Sequence, residues 1–491
     1  MSLTTSWNIS RSALATTAEH TALISRNIGN VGDPNASRKI ASITPLDYGG
    51  VAIQGVNRAT NASLFTSALG ASSAVGYSET ISGGLDRLDQ VIGDPESDYS
   101  PVAMLGKLKS ALEVYQANPH DNSAANSALS AAGDIVNTLN SANEVVQQVR
   151  RDADSEIADI VGNVNGLLER FEELNNKIIS GTRIGADVTD ELDARDEILF
   201  ELSKEMGIKT ETRSDNDMLI LTESDVVVFE RHPRSISFEK SPGLDGSITA
   251  NGLMIDGVPV TGTDAVMKLE TGRLVGLTTL RDDLSVTFQS QLDELARGLI
   301  ETFAESDQSI TPTQPDLPGL FTYTGATGVP ASGTLIAGLA GLITLNPAAD
   351  PALGGDINRI RDGGLADPGN PAYVYNNTGA AGFTDRLAEL TQGFTEIRLF
   401  SAETGLETQT TIEGLAANTS GWLQAIRSNT QSELTYQSTV FQRASESLSN
   451  AVGINLDTEM AHLLELERSF QAASRLIGTI DEMFGALLAV T

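Results

Sequence analysis

The chain offers few residues arranged for chemistry. Its four histidines are His20, His120, His232 and His462. None stands at the HExxH-type spacing by which one helix face presents two imidazoles to a metal ion. His462 lies near Glu459 and Glu465 in a helical stretch, where a surface or interface role is expected. Asp190, Glu191, Asp193, Asp196 and Glu197 form an acidic cluster interrupted by Arg195. A catalytic carboxylate pair or a calcium loop would draw on such residues, but on a helix the run reads as a solvated face. There is no cysteine, which excludes disulfides and thiolate metal sites. Gly338-Leu339-Ala340-Gly341 lacks the lysine of a phosphate loop, and no GxSxG or EF-hand pattern occurs. The expectation is a chain with no catalytic residue, cofactor or metal, and not an enzyme.

What such a chain does is then set by its helices. Between Gly453 and Thr491, Leu456, Met460, Leu463, Leu466, Phe470, Ala473, Ile477, Ile480, Phe484 and Leu487 recur in steps of three and four. That is the period of one helix face, and it predicts about nine turns with a narrow apolar seam. Asn455 or Asp457 can cap it, and Glu459 puts negative charge in its first turn. At the other end of the chain, Leu3, Trp7, Ser10, Leu14, Thr17, Thr21, Ile24, Ile28 and Val31 keep a strict four-three spacing. This seam is diluted by Ser and Thr, so its helix needs a partner. The two termini are therefore expected to form one antiparallel coiled pair, with everything else inserted between them.

Composition bounds the partners. The 491 residues suffice for two or three domains, and the formal charge is −33. Duplex DNA and anionic membranes both demand cationic surface, so no nucleic acid and no membrane is expected as a partner. No basic segment followed by an apolar core opens the chain, and no run of about 18 apolar residues occurs.

Along the chain, residues 32–55 read as an extended connector with a hairpin. Helix is predicted from Asn57 to Val91, stopped by Gly93-Asp94-Pro95, and again from Val102 to Ala117. The most regular pattern runs from Ser123 to Gly181, with Gly162 and Gly166 inside it as sites of close packing or a bend. A shorter helix, Asp190 to Met206, closes at Gly207. From Ile208 to Leu269 the period changes to two, which predicts short strands. Helix resumes near Gly272 to Ala304, then from Thr384 to Phe400 and Thr408 to Ala451. Residues 306–382, rich in Gly, Pro and Ala with brief strand-like runs, read as a small exposed insertion adding little to any core.

Three segments carry a family resemblance. Asn455 to Leu488 resembles the terminal motif of bacterial flagellar axial (rod and hook) proteins, "NLDxEMAxLLxLxxxFQAAxRxIxTxDEMxxxLL". Ser25-Arg26-Asn27-Ile28-Gly29-Asn30 is similar to their "SNNIAN" segment, although the usual Gly-Tyr pair is replaced by Gly32-Asp33-Pro34-Asn35-Ala36-Ser37-Arg38. The stretch DELDARDEILFELSKEMGI, from Asp190, resembles a segment of the hook-associated protein 1 branch. The resemblance implies a mainly α fold with β-rich insertions, in which terminal coiled-coil helices and an elongated helical bundle are nested. The corresponding domains are 1–55 with 453–491; 56–207, 270–305 and 383–452; 208–269; and 306–382.

The resemblance implies a structural adaptor joining hook to filament by ring assembly. Its partners would be further copies of the chain, hook protein, a second hook-associated junction protein and an export chaperone on the C-terminal helix. It would be secreted to the extracellular flagellum. Leu3, Trp7, Leu14, Ile24, Ile28, Met460, Leu463, Phe470, Ile477, Ile480 and Phe484 are the expected interface. The alternatives are a hook- or rod-type axial protein and a cytoplasmic coiled-coil scaffold.

Overall fold

The computed structural model describes residues 2–47, 49–92, 100–246 and 248–490. Ser2 caps the first helix, its Oγ accepting from Thr5 N at 3.2 Å. Helix α1 runs from Leu3–Gly29. The chain returns as strands β1 (Lys39–Pro45) and β2 (Val51–Arg58), antiparallel from Lys39 opposite Arg58 to Pro45 opposite Val51. The hairpin extends three residues beyond position 55. It lies along α1, with Thr16 Oγ1 donating to Val51 O at 2.8 Å. Gly50 at φ +112° sits so close that an added Cβ would fall 2.3 Å from Ser12 Oγ. That approach and that backbone conformation both require glycine.

The bundle comprises α2 (Ala62–Ile92), α3 (Pro101–Ala117), α4 (Asn122–Ile184) and α5 (Thr189–Glu205). The stop at Gly93-Asp94-Pro95 lies outside the described residues. Ser100 caps α3, with Pro101 at its first turn. Asp121 caps α4, accepting from Ser123 N at 2.8 Å, and Gly185 closes it at φ +71°. The 63 residues of α4 span about 95 Å. One stripe of α4 belongs to two cores in succession. Ala124 to Val149 pack with helices of the lower bundle, and Ala153 to Phe171 pack with α5 and the strands that follow. An added Cβ at Gly162 or Gly166 would meet nothing within 4 Å, so close packing is not their reason, and the helix continues through both.

Beyond α5 lie β3 (Ile208–Thr212), β4 (Met218–Thr222) and β5 (Val227–Phe229), which form one antiparallel sheet in that order. A second comprises β6 (Ile236–Ser237), β7 (Met254–Ile255) and β8 (Val258–Pro259). Helix α6 (Arg273–Thr279) passes through a π turn, Leu280–Leu284, into α7 (Ser285–Thr302). The wider turn turns Arg281 inward, where its fully buried guanidinium meets Asp154 at 2.6 Å.

Residues 306–382 are not the exposed insertion that their composition suggested. They supply β9 (Phe321–Tyr323), the one-turn α8 (Leu339–Leu342), β10 (Ile343–Leu345) and the one-turn α9 (Arg359–Asp362). Leu320, Phe321, Leu339, Ile343, Ile357 and Ile360 are buried in the same core as Ile135, Leu139 and Phe303. Carboxylates of α7 and its end hold the segment by its backbone. Asp293 accepts from Gly338 N and Ala340 N, each at 2.8 Å, and Glu305 accepts from Ala366 N at 2.9 Å. Eight of the segment's large apolar and tyrosine side chains, Leu320, Phe321, Leu339, Ile343, Ile357, Ile360, Leu365 and Tyr373, are buried without regular period, so composition hid them, while Ile310, Leu342 and Leu353 face out.

The expected helix from Thr384 to Phe400 is shorter: α10 ends at Gly393, followed by β11 (Arg398–Leu399) paired with β12 (Gln409–Thr410). Helices α11 (Ile412–Val452) and α12 (Leu456–Val490) complete the chain. The architecture is mainly α, with five small sheets among the described residues.

Candidate assembly surface and its joint to the bundle

Helix α12 starts from a cap at Asn455, whose Oδ1 accepts from Thr458 N at 3.0 Å. Many of its apolar residues fall on two strict heptad rows, the second of which begins at a glutamate. One is Leu456, Leu463, Phe470, Ile477 and Phe484; the other is Glu459, Leu466, Ala473, Ile480 and Leu487. Helix α1 packs along it. The pair is antiparallel, because Asn27 near the end of α1 bonds Glu459 near the start of α12. Two of the three hydroxyls that dilute the α1 seam are satisfied on their own helix: Thr17 donates to Ala13 O and Thr21 to Thr17 O, each at 2.8 Å.

The interface residues expected from the sequence all lie on this pair. Ile24 and Ile480 are buried. Leu3, Trp7, Leu14, Ile28, Leu463, Ile477 and Phe484 are half-buried. Met460 lies one position off the heptad rows, and both it and Phe470 remain 42% exposed. Leu464, Leu476 and Met483 are likewise exposed. One chain therefore covers a seam of α12 and leaves an apolar flank in water.

Near the root of the pair is a polar layer. Asn27, 1% exposed, donates through Nδ2 to Lys39 O and to Glu459 Oε2, both at 3.0 Å, and accepts from Lys39 N at 3.0 Å. Glu459, 2% exposed, also meets Arg38 Nε at 3.1 Å. It lies in the first turn of α12, as expected, and is there a buried anchor. Three elements, α1, β1 and α12, meet at one amide. The signal in the sequence was a glutamate on a heptad row, since a polar residue in a seam fixes register. His20 is near His462; burial lowers its pKa first, the neighbouring imidazole lowers it further, and Glu459 opposes.

The acidic cluster proves to be the joint between this terminal module and the bundle, which corrects its reading as a solvated face. Asp193 accepts from Ser37 Oγ at 2.7 Å and Ser37 N at 3.0 Å, and pairs with Lys39 Nζ and with Arg58 Nη1 at 2.9 Å. Arg58 also reaches Asp196 at 2.7 Å, Arg26 reaches Asp187 at 2.8 Å and Asp190 at 2.5 Å, and Asn35 donates to Glu197 at 3.0 Å. Burial would raise the Asp193 carboxyl, but hydrogen bonds from Lys39, Ser37 and Arg58 outweigh it and hold it below the ordinary carboxylate range. For Asp196 burial wins over Arg58 and the pKa is raised. Arg195 turns the other way, donating to Asn175 Oδ1 at 2.9 Å and Asn216 O at 2.6 Å; burial lowers its pKa to about 10. The turn at 33–38, where the family's Gly-Tyr is replaced, thus supplies Asn35 and Ser37 to the joint.

Beside the joint opens a groove of about 1720 Å³ between the module and the bundle, lined by Val56, Phe65, Leu192, Phe200, Phe441 and Leu448 among others. Among the described residues, no three His, Cys, Asp or Glu side chains gather as a metal site, and no helix is long and apolar enough to cross a membrane.

Residues 85–309 match the family model of the flagellar hook-associated protein FlgK helical domain. Residues 441–490 match that of the flagellar basal body rod FlgEFG protein C-terminal region. The chain is similar to flagellar hook-associated protein 1 of Bacillus subtilis, with 20% identity over 436 residues, covering 84% of this chain and 81% of that one. It is similar to flagellar hook-associated protein 1 of Salmonella typhimurium, with 23% identity over 257 residues, covering 52% of this chain and 46% of that one. Its fold resembles that of the flagellar hook junction protein FlgK from Burkholderia pseudomallei, with a TM-score of 0.58 at 13% identity over 78% of this chain and 99% of that chain.

Proposed function

This chain belongs to the flagellar hook-associated protein 1 family, and on that premise we propose that it is a non-catalytic adaptor that joins hook to filament by assembling with copies of itself through its terminal helices. The observation that carries the reading is the apolar flank of α12, where Phe470, Leu464, Leu476 and Met483 remain exposed after α1 has packed. An apolar stripe of this kind needs cover from another chain. In the assembled state neighbouring copies supply it, with hook protein below and the second junction protein above. Before assembly, an export chaperone shields the same stripe. The protein acts outside the cell, in the flagellum.

The match over residues 85–309 is to a hook-associated model and favours that reading over a hook or rod protein, whereas the C-terminal match, to a rod-type segment, does not discriminate between them. A cytoplasmic scaffold has no observation in its favour.

The test is Phe470→Asp with Ile477→Asp, expressed in a strain lacking the wild-type protein. The expected outcome is bare hooks in electron micrographs, filament subunits free in the medium, and weaker retention of an export chaperone in pull-downs. Normal filaments would overturn the role of the seam.

A further inference from the structure

We propose that the joint is a salt-sensitive latch, in which Arg26, Lys39 and Arg58 of the terminal module grip the acidic face of α5 and set the angle at which the module stands on the bundle. This goes beyond adaptor function, since it concerns how one copy changes shape.

The first support is the distribution of charge. The chain carries 65 Asp and Glu against 32 Lys and Arg, yet residues 2–61 reverse the balance, with Arg11, Arg26, Arg38, Lys39 and Arg58 against Glu19, Asp33 and Asp47. Three of those five cations bind carboxylates between Asp187 and Asp196.

The second is a gradient of solvent access across the grip. Asp190 is 65% exposed at the rim, Arg26 is 30% exposed, and Lys39 is 1% exposed at the centre. Charges that water and ions reach are screened, with a Debye length of about 10 Å at 0.1 M salt and about 3 Å at 1 M. The apolar seam between α1 and α12 has no such sensitivity. Added salt therefore loosens the rim pairs of Arg26 first, and with them the angle of the module, while the buried pairs of Lys39 and Arg58 are screened least.

The third is the way the module is tethered. The chain crosses between module and bundle at 59–61 and at 453–455. The first crossing is held by Ala59 N donating to Arg38 O at 2.8 Å, and Arg38 N donates to Val452 O at 2.8 Å across the second. The groove of about 1720 Å³ flanks these crossings and leaves the module room to tilt. Two short strands, a polar grip and an open cleft make a hinge with a catch.

The absence of cysteine allows clean labelling. Glu19→Cys on α1 and Lys177→Cys on α4, both exposed in the full chain, would carry spin labels for distance measurement by pulsed electron resonance. At about 0.1 M salt a single narrow distribution is expected. At about 1 M its width should grow about twofold while far-UV circular dichroism stays constant. Asp193→Asn with Asp190→Asn should broaden the distribution already at low salt. A distribution of equal width at both salts would overturn the latch, as would one that is broad at both. The salt series on the labelled chain decides even where the double variant fails to fold. A failed latch would leave the adaptor reading intact, because filament formation is read separately.

Discussion

At the scale of single residues, Asn27 joins more of the terminal module than any apolar seam position. Its side-chain amide satisfies both backbone polar groups of Lys39 and one oxygen of a buried carboxylate. Asn27→Ala should leave Glu459 short of a donor and cost about 2–3 kcal/mol, since hydrogen bonds to charged groups contribute about 1.5–3. The readout is faster amide exchange at the root of α1 and α12; unchanged exchange would contradict the anchor. The segment Ser25 to Asn30 was legible as a motif, but its amide's role was not, because Lys39 and Glu459 come together only in the fold.

Asp293 provides a pH test at the same scale. Burial pushes its pKa up to about 6 from 3.8, against the hydrogen bonds from Ala340, Gly338 and Gln289 that lower it. The folded state thus holds the proton more tightly than the unfolded one. Its stabilising contribution is full below about pH 4 and is lost as pH rises through about 6. Asp293→Asn should remove that part of the fall in melting temperature between these values. Asp193 has the opposite sign: its folded pKa is depressed, so its contribution is present above the ordinary carboxylate range and lost as pH falls below it.

At the scale of elements, glycines separate two kinds of helix position. Gly162 in α4 faces open space, so Gly162→Ala should stabilise by about 1 kcal/mol through helix propensity alone. Gly84 in α2 faces Leu280, and an added Cβ would fall 2.2 Å from Leu280 Cδ2, so Gly84→Ala should destabilise by about 1–3 kcal/mol. Chemical denaturation of both variants checks the contrast. The ends of α3, α4 and α5 were legible to within a few residues; Ser100 caps α3, and Asp121 and Gly185 bound α4, by local contacts. The joint on α5 was not legible, because an acidic helix face looks the same whether it meets water or three cations. The helix at α10 was expected too long, and the burial of β9 and β10 was not legible, because it rests on packing against α4 and α7 and not on their own periodicity.

At the scale of the whole molecule, the central segment changes its expected role. Removing residues 310–378 would uncover Ile135, Leu139 and Phe303 and strip Asp293 and Glu305 of their backbone donors. Such a deletion should lower the melting temperature and destabilise the bundle instead of leaving it intact, since buried charges without partners are costly. The nesting of elements was visible because it rests on two terminal heptad patterns, which survive without knowledge of contacts. The same architecture implies graded stability. In the free chain, amide protection should decline along α12 from Glu459 toward Leu488, while α4 between Val146 and Phe171 stays protected.

The central claim is that this protein stands between hook and filament. Immunogold labelling of isolated hook–basal bodies with an antibody to residues 306–382 tests it most directly. The expected result is a single narrow band of gold at the distal end of the hook. Label spread along the hook or the rod, or none on the structure at all, would contradict it.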